Sequence, residues 1–176
     1  MGRVVSFGLT VILLIAALAS GSLRPAPVET VSFFNRRCAA CHGKDGTLLE
    51  ERFERKYRDE SELKKIIRTM PGASALSGEE MDALVAYMRA ISRREAYLIW
   101  TQQRDGELEG EIAPADATLK ASAKRQSLKV ERVGTHRWRV RLPKNVKPAE
   151  VELTAERGTR RTTLRLKDSP YSHAKP

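Results

Sequence analysis

Residues 38–42 read Cys-Ala-Ala-Cys-His and contain both cysteines of a 176-residue chain. Any fold of this chain must hold two thiols three positions apart with an imidazole directly after the second. A structural disulfide is one reading, but a bridge closing so small a loop stabilises little, because the entropic gain grows with loop length. A thioredoxin-like dithiol needs a βαβ context, and no strand precedes these residues. A zinc site usually takes four ligands, and the other histidines, His136 and His173, lie far along the chain. The reading that remains is covalent haem c, one per chain. Cys38 and Cys41 each add to one haem vinyl group, and His42 reaches the iron from the proximal side.

A six-coordinate haem needs a second axial ligand, and methionine and histidine are the candidates. Met81 and Met88 lie on the apolar stripe of a helix and read as core packing. Met70 differs, because Pro71-Gly72 follows it. Proline disfavours helical geometry in the residue before it and stiffens what comes after. A thioether in such a loop can be presented to the far side of the haem, so Met70 is the expected distal ligand.

The N-terminus carries one arginine, then the apolar run LTVILLIAALA over residues 9–19. Counted from Val4 it is about sixteen residues, short of the ~20 that span a bilayer as a helix. The small residues Ala17-Leu18-Ala19 resemble a cleavage site. Residues 1–19 therefore read as a signal peptide, with an uncleaved membrane tether as the rival, and either places the rest of the chain in the periplasm. Residues 20–28 read as a linker.

From there the periodicity is helical to about Trp100, and it becomes alternating, with β-branched residues, from about residue 117. Thr30–Arg37 and Glu60–Arg68 are short helices. Ser77-Gly78-Glu79-Glu80 is a capping box opening a third, with Met81, Leu84, Val85, Met88 and Ile91 on one stripe. Residues 29–104 are thus the haem domain. The segment GELEGEIAPAD makes 105–116 a linker, 117–170 reads as β-rich and 171–176 as a tail. Strands are expected at Leu128–Val133, His136–Leu142, Val151–Ala155 and Thr162–Lys167, with turns at Gly134 and Gly158. In HRWRVRL, Trp138, Val140 and Leu142 share one face and Arg137, Arg139 and Arg141 the other. The fold class is α + β in two domains, an all-α haem domain followed by a small antiparallel, sandwich-like all-β domain.

The pieces FFNRRCAACHGKDG, SELKKIIR and TMPGASALSGEEMDALVAYMR together resemble the class I cytochromes c, of the small monohaem bacterial type, over residues 29–93. The resemblance implies an N-terminal helix crossing the C-terminal helix, with Phe33 or Phe34 meeting Tyr87 at the crossing. It also implies Leu84 and Val85 on the haem side, His42 and Met70 as axial ligands, and Gly43 and Gly46 in the turn after the histidine. Thr47–Asp59 departs from the family by its charge. It reads as a helix whose Arg52, Arg55 and Arg58 meet haem propionates or solvent. The β-rich segment resembles no family.

An iron with both axial positions filled favours outer-sphere electron transfer over catalysis, so the chain reads as an electron carrier and not an enzyme. The net charge of +10 points to an acidic or membrane-bound redox partner. The arginine face of the β-rich segment is a docking surface or a solvated strand face. His136 reads as an ordinary strand histidine and Trp138 as core. Nucleic acid and small-molecule substrates are not expected. Two alternatives stand: a haem-based sensor or peroxidase with an open iron, and a structural haem subunit of a respiratory complex.

Overall fold

The computed structural model describes residues 28–104 and 106–171. The expected signal peptide, the linker up to residue 27, and residues 172–176 of the tail with His173 lie outside the described residues. No helix among the described residues is long and apolar enough to cross a membrane.

The helical half follows the sequence closely. Helix α1 (Thr30–Arg37) runs almost directly into the single turn α2 (Ala39–His42). Helix α3 (Glu60–Arg68) starts on Asp59, whose side chain accepts the Glu62 amide at 2.9 Å. Helix α4 (Gly78–Arg93) opens with the expected capping box: Ser77 accepts the Glu80 amide at 3.2 Å, and Glu80 accepts the Ser77 amide at 2.9 Å. Each reciprocal bond satisfies an amide that the first helical turn would leave without a partner. The crossing of α1 over α4 is made by Phe34, whose ring meets that of Tyr87 edge-on at 5.3 Å. Phe33 is only half-buried.

Three expectations need correcting. The last helix does not reach Trp100. It stops at Arg93, where Arg94 takes a left-handed conformation (φ 56) and its amide closes onto Ala90 and Ile91. Residues 97–104 then form strand β1 (Tyr97–Arg104), and Tyr97–Trp100 are buried without interruption. A run of four buried apolar residues carries no period, so nothing in it separates strand from helix. Residues 105–116 are not a linker, since Glu107–Ala113 form strand β2, paired with β1 along its length. Thr47–Asp59 is not an α-helix but irregular chain with one short 3₁₀ turn at Phe53–Lys56.

Beyond β2 lie β3 (Thr118–Ala123), β4 (Gln126–Leu128), β5 (Val130–Val133), β6 (Arg137–Arg141), β7 (Val151–Arg157) and β8 (Arg160–Arg165). They make two antiparallel four-stranded sheets, ordered β1-β2-β6-β5 and β4-β3-β7-β8. The first sheet puts Leu108 opposite Val140 and Gly110 opposite Trp138 on its buried face. Gly110 is there by necessity. A Cβ at that position would collide with the Ile99 carbonyl oxygen and the Trp138 ring.

The other face of β2 and β6 pairs Glu107 with Arg141, Glu109 with Arg139 and Glu111 with Arg137. Arg139 reaches Glu109 at 2.7 Å, Arg141 reaches Glu107 at 2.7 Å, and Arg137 reaches Glu109 at 3.2 Å. The arginine stripe is thus matched by acids of its own sheet. Buried side chains continue from the helices into the sheets as one cluster, and Tyr87 of α4 packs edge-on against Tyr97 of β1 at 5.1 Å.

Candidate functional site

Cys38 sits at the joint between α1 and α2, its amide donating to Phe34 at 2.8 Å, while the His42 amide donates back to the Cys38 carbonyl at 3.0 Å. That one turn brings Cys38, Cys41 and His42 together. Both cysteines are free, Cys38 half-buried and Cys41 exposed. Burial, with Cys41 close by, pushes the Cys38 thiol pKa up. The His42 ring lies 6.4 Å from that of Phe34, tilted by 32°.

The chain must then reverse sharply. Gly43 does so at φ +75, in space where a Cβ would collide with the Thr47 hydroxyl oxygen. The Leu48 amide closes the reversal onto the His42 carbonyl at 3.0 Å. Asp45 follows in a left-handed conformation (φ 52). It is held by Asn35, whose side-chain amide donates to Asp45 Oδ1 at 2.7 Å and whose Oδ1 accepts the Asp45 amide at 2.9 Å. Gly46 packs against Ile91, with no room for a side chain. Both glycines expected in this turn occupy it. Leu48 is left 73 % exposed beside it, an apolar side chain with little protein against it.

Met70 is half-buried in the connection between α3 and α4, its amide donating to Ile67 at 2.9 Å and its carbonyl accepting from Ala73 at 3.2 Å. Gly72 turns the chain at φ +83, and the stem of Arg37 passes 3.5 Å from where its Cβ would be. The methionine loop therefore leans on the end of α1, next to Cys38. Met81 and Met88 are buried in the core, and Leu84 and Val85 are buried beside them. Arg52 is left-handed, its amide donating to Ser92 at 2.7 Å, and Arg55 and Arg58 are exposed. Trp138 is core, its indole donating to the Glu111 carbonyl at 3.1 Å. The His136 ring Nδ1 lies 3.3 Å from the Ile112 carbonyl.

One residue escaped the sequence reading. Glu111 is buried, and its carboxylate accepts the Thr30 amide at 2.9 Å, at the start of α1. Burial pushes its pKa up to about 7, against the opposing pull of that hydrogen bond. The signal was the alternation in Glu107–Ala113, masked by its glycine and acids.

The donor set fits a covalently held haem: two free thiols and an imidazole on one turn, with an apolar side chain bare beside them. Residues 26–88 match the family model described as cytochrome c oxidase, cbb3-type, subunit III. That segment is a class I c-type cytochrome domain. A domain of this kind implies covalently attached haem c and haem-based electron transfer. No curated protein matches the chain. Within the matched segment, α1 and α2 carry the turn of Cys38, Cys41 and His42, and all eight strands lie beyond the matched residues.

Proposed function

We propose that this is an exported, periplasmic monohaem cytochrome c. It carries single electrons between periplasmic or membrane redox partners, with Cys38 and Cys41 holding the haem and His42 and Met70 as its axial ligands. The observation that carries the reading is the attachment turn itself: two free thiols and His42 on one turn, with the Met70 loop braced against the same helix end through Arg37 and Gly72. Haem c supplies a one-electron couple, and methionine ligation raises its potential relative to histidine.

The protein's own residues do the rest. The α1–α2 turn fixes the spacing of the two sulfurs. Pro71 and Gly72 hold the Met70 thioether in a loop instead of a helix. Arg36, Arg37 and Lys44 are exposed around the turn and steer an acidic partner toward the haem edge. The arginines of β6 have in-chain acids opposite them, so this steering does not fall to the sheet. The sheets, packed on the helices through one shared core, serve assembly or docking. The family description favours a second reading, in which the chain is the haem subunit of a terminal oxidase.

The test is the spectrum of the haem-loaded protein. The weak near-infrared iron–methionine band is expected in the wild type and absent in Met70→Ala. High-spin iron in the wild type that binds added carbon monoxide would rule out the carrier and support a sensor or peroxidase. Co-purification with oxidase subunits would decide for the second reading.

A further inference from the structure

The turn that carries Cys38, Cys41 and His42 has its two ends tied together. Asn35, on α1, lies before it, and Asp45 lies after it. Between them run two reciprocal hydrogen bonds: the Asn35 side-chain amide donates to Asp45 Oδ1 at 2.7 Å, and the Asp45 backbone amide donates to Asn35 Oδ1 at 2.9 Å. Both are partly shielded from water. We propose that Asn35 and Asp45 form a clasp that positions His42, fixing the orientation of its imidazole on the iron. This rests on His42 being the proximal ligand and adds positioning residues to that reading.

Three further observations support a positioning role. Asp45 adopts φ 52, a region that few residues other than glycine visit, although aspartate is among those that tolerate it. A glycine would relieve the backbone but would lose the acceptor that Asn35 uses. A third donor arrives from a different element, since the Tyr87 hydroxyl lies 3.4 Å from the same Asp45 Oδ1. That tyrosine is itself fixed by the rings of Phe34 and Tyr97 on either side. Finally, the clasp and the ring share a backbone. Only Gly43 and Lys44 separate His42 from Asp45, and the His42 carbonyl is already committed to the Leu48 amide. With the peptide on one side of His42 closed by α2 and on the other by the clasp, the backbone that carries the ring is fixed at both ends. Groups that hold a ligating histidine from outside the coordination sphere tune the metal it binds.

The experiment uses the full-length, haem-loaded protein and two readouts. The hyperfine-shifted haem methyl resonances of the oxidised protein report the plane of the axial ligands, and hydrogen exchange reports the residue-45 amide. In the wild type, histidine coordination must first be present. Without it the assignment of His42 falls before any substitution is made, and the clasp has no ring to orient. Asn35→Ala is expected to change the spread of the methyl resonances and to lower protection of the residue-45 amide by roughly fivefold to tenfold, the equivalent of about one ordinary hydrogen bond. Asp45→Asn keeps the side-chain oxygen and is expected to retain the wild-type methyl pattern. Tyr87→Phe removes one donor and is expected to shift the pattern less than Asn35→Ala. Loss of amide protection in Asn35→Ala with an unchanged methyl pattern would overturn the proposal, because the hydrogen bonds would then hold only the loop. An altered pattern in Asp45→Asn equal to that of Asn35→Ala would overturn it as well.

Discussion

A carboxyl group sits between β2 and the first turn of α1, with 3 % of Glu111 exposed. Helix α1 has no side-chain cap of its own, since the Glu29 side chain accepts the Ser32 hydroxyl and none of the helix's backbone amides. Glu111 supplies that missing acceptor from the sheet. The groups around it are of mixed character: Glu29 before α1, Arg137 across the strand pair, and the buried hydroxyls of Tyr97 and Tyr171. Burial raises its pKa from 4.5 to about 7, so the folded protein holds this proton more tightly than the unfolded chain does. The contribution to stability is therefore fully present below pH 4.5 and is lost as pH rises through about 7. At about 1.4 kcal/mol per pKa unit the loss totals about 3 kcal/mol. Glu111→Gln keeps an acceptor for Thr30 and removes the titration. Denaturant unfolding of this variant is expected to show a flatter pH profile between 4.5 and 7 than the wild type. A slope equal to the wild type's would show that Glu111 is not the group that titrates.

Among the secondary elements, those that announce themselves locally were readable. Helix α4 shows its cap in Ser77 and Glu80 and its core face in Met81, Leu84, Val85 and Met88, all within one stretch of chain. Strand β6 shows alternation in Arg137–Arg141, because one of its faces is charged and the other is buried. The turn after His42 was legible for the same reason, since Gly43 and Gly46 act on neighbours a few residues away. Strands β1 and β2 were not legible. Tyr97–Trp100 are buried on every side, which erases the period, and Glu111 satisfies its carboxyl on a helix 81 residues away. Long-range partners of that kind leave no local mark. Gly110 shows how such a position can be tested. It looks like a linker glycine, yet it lies under Trp138 and beside the Ile99 carbonyl. Gly110→Ala is expected to cost about 3 kcal/mol, at the upper end of ordinary overpacking, read as a lowered denaturation midpoint. Gly134→Ala, at a turn where a Cβ would meet nothing within 4 Å, is expected to cost less, through its positive φ alone. A smaller effect at Gly110 than at Gly134 would contradict this packing account.

For the whole molecule, the question is whether helices and sheets behave as one body. The aromatic contacts run from His42 to Phe34, to Tyr87 and to Tyr97, and so cross from the Cys38–His42 turn into β1 without a gap. Polar contacts cross as well: Thr162 donates to the Ala96 carbonyl at 3.0 Å, and Arg160 pairs with Glu51 at 3.2 Å. Both tryptophans, Trp100 and Trp138, lie in the first sheet, whereas the haem belongs to the helical half. Two probes therefore report the two halves separately. Tryptophan emission and the haem absorption band are expected to change at the same denaturant concentration, as one cooperative transition requires. Separated midpoints would show two units that fold independently and would make the shared core a mere contact.

The support that Glu111 gives to α1 also has a consequence in time. A chain made from its N-terminus presents the two thiols and His42 long before it presents β2. The helix that leads into them starts 81 positions before the residue that accepts its first amide. Until then the first turn of α1 lacks the acceptor that Glu111 gives it, while the Cys38–His42 turn has only its local hydrogen bonds. That last support is added when the far half of the chain has arrived and closed against it.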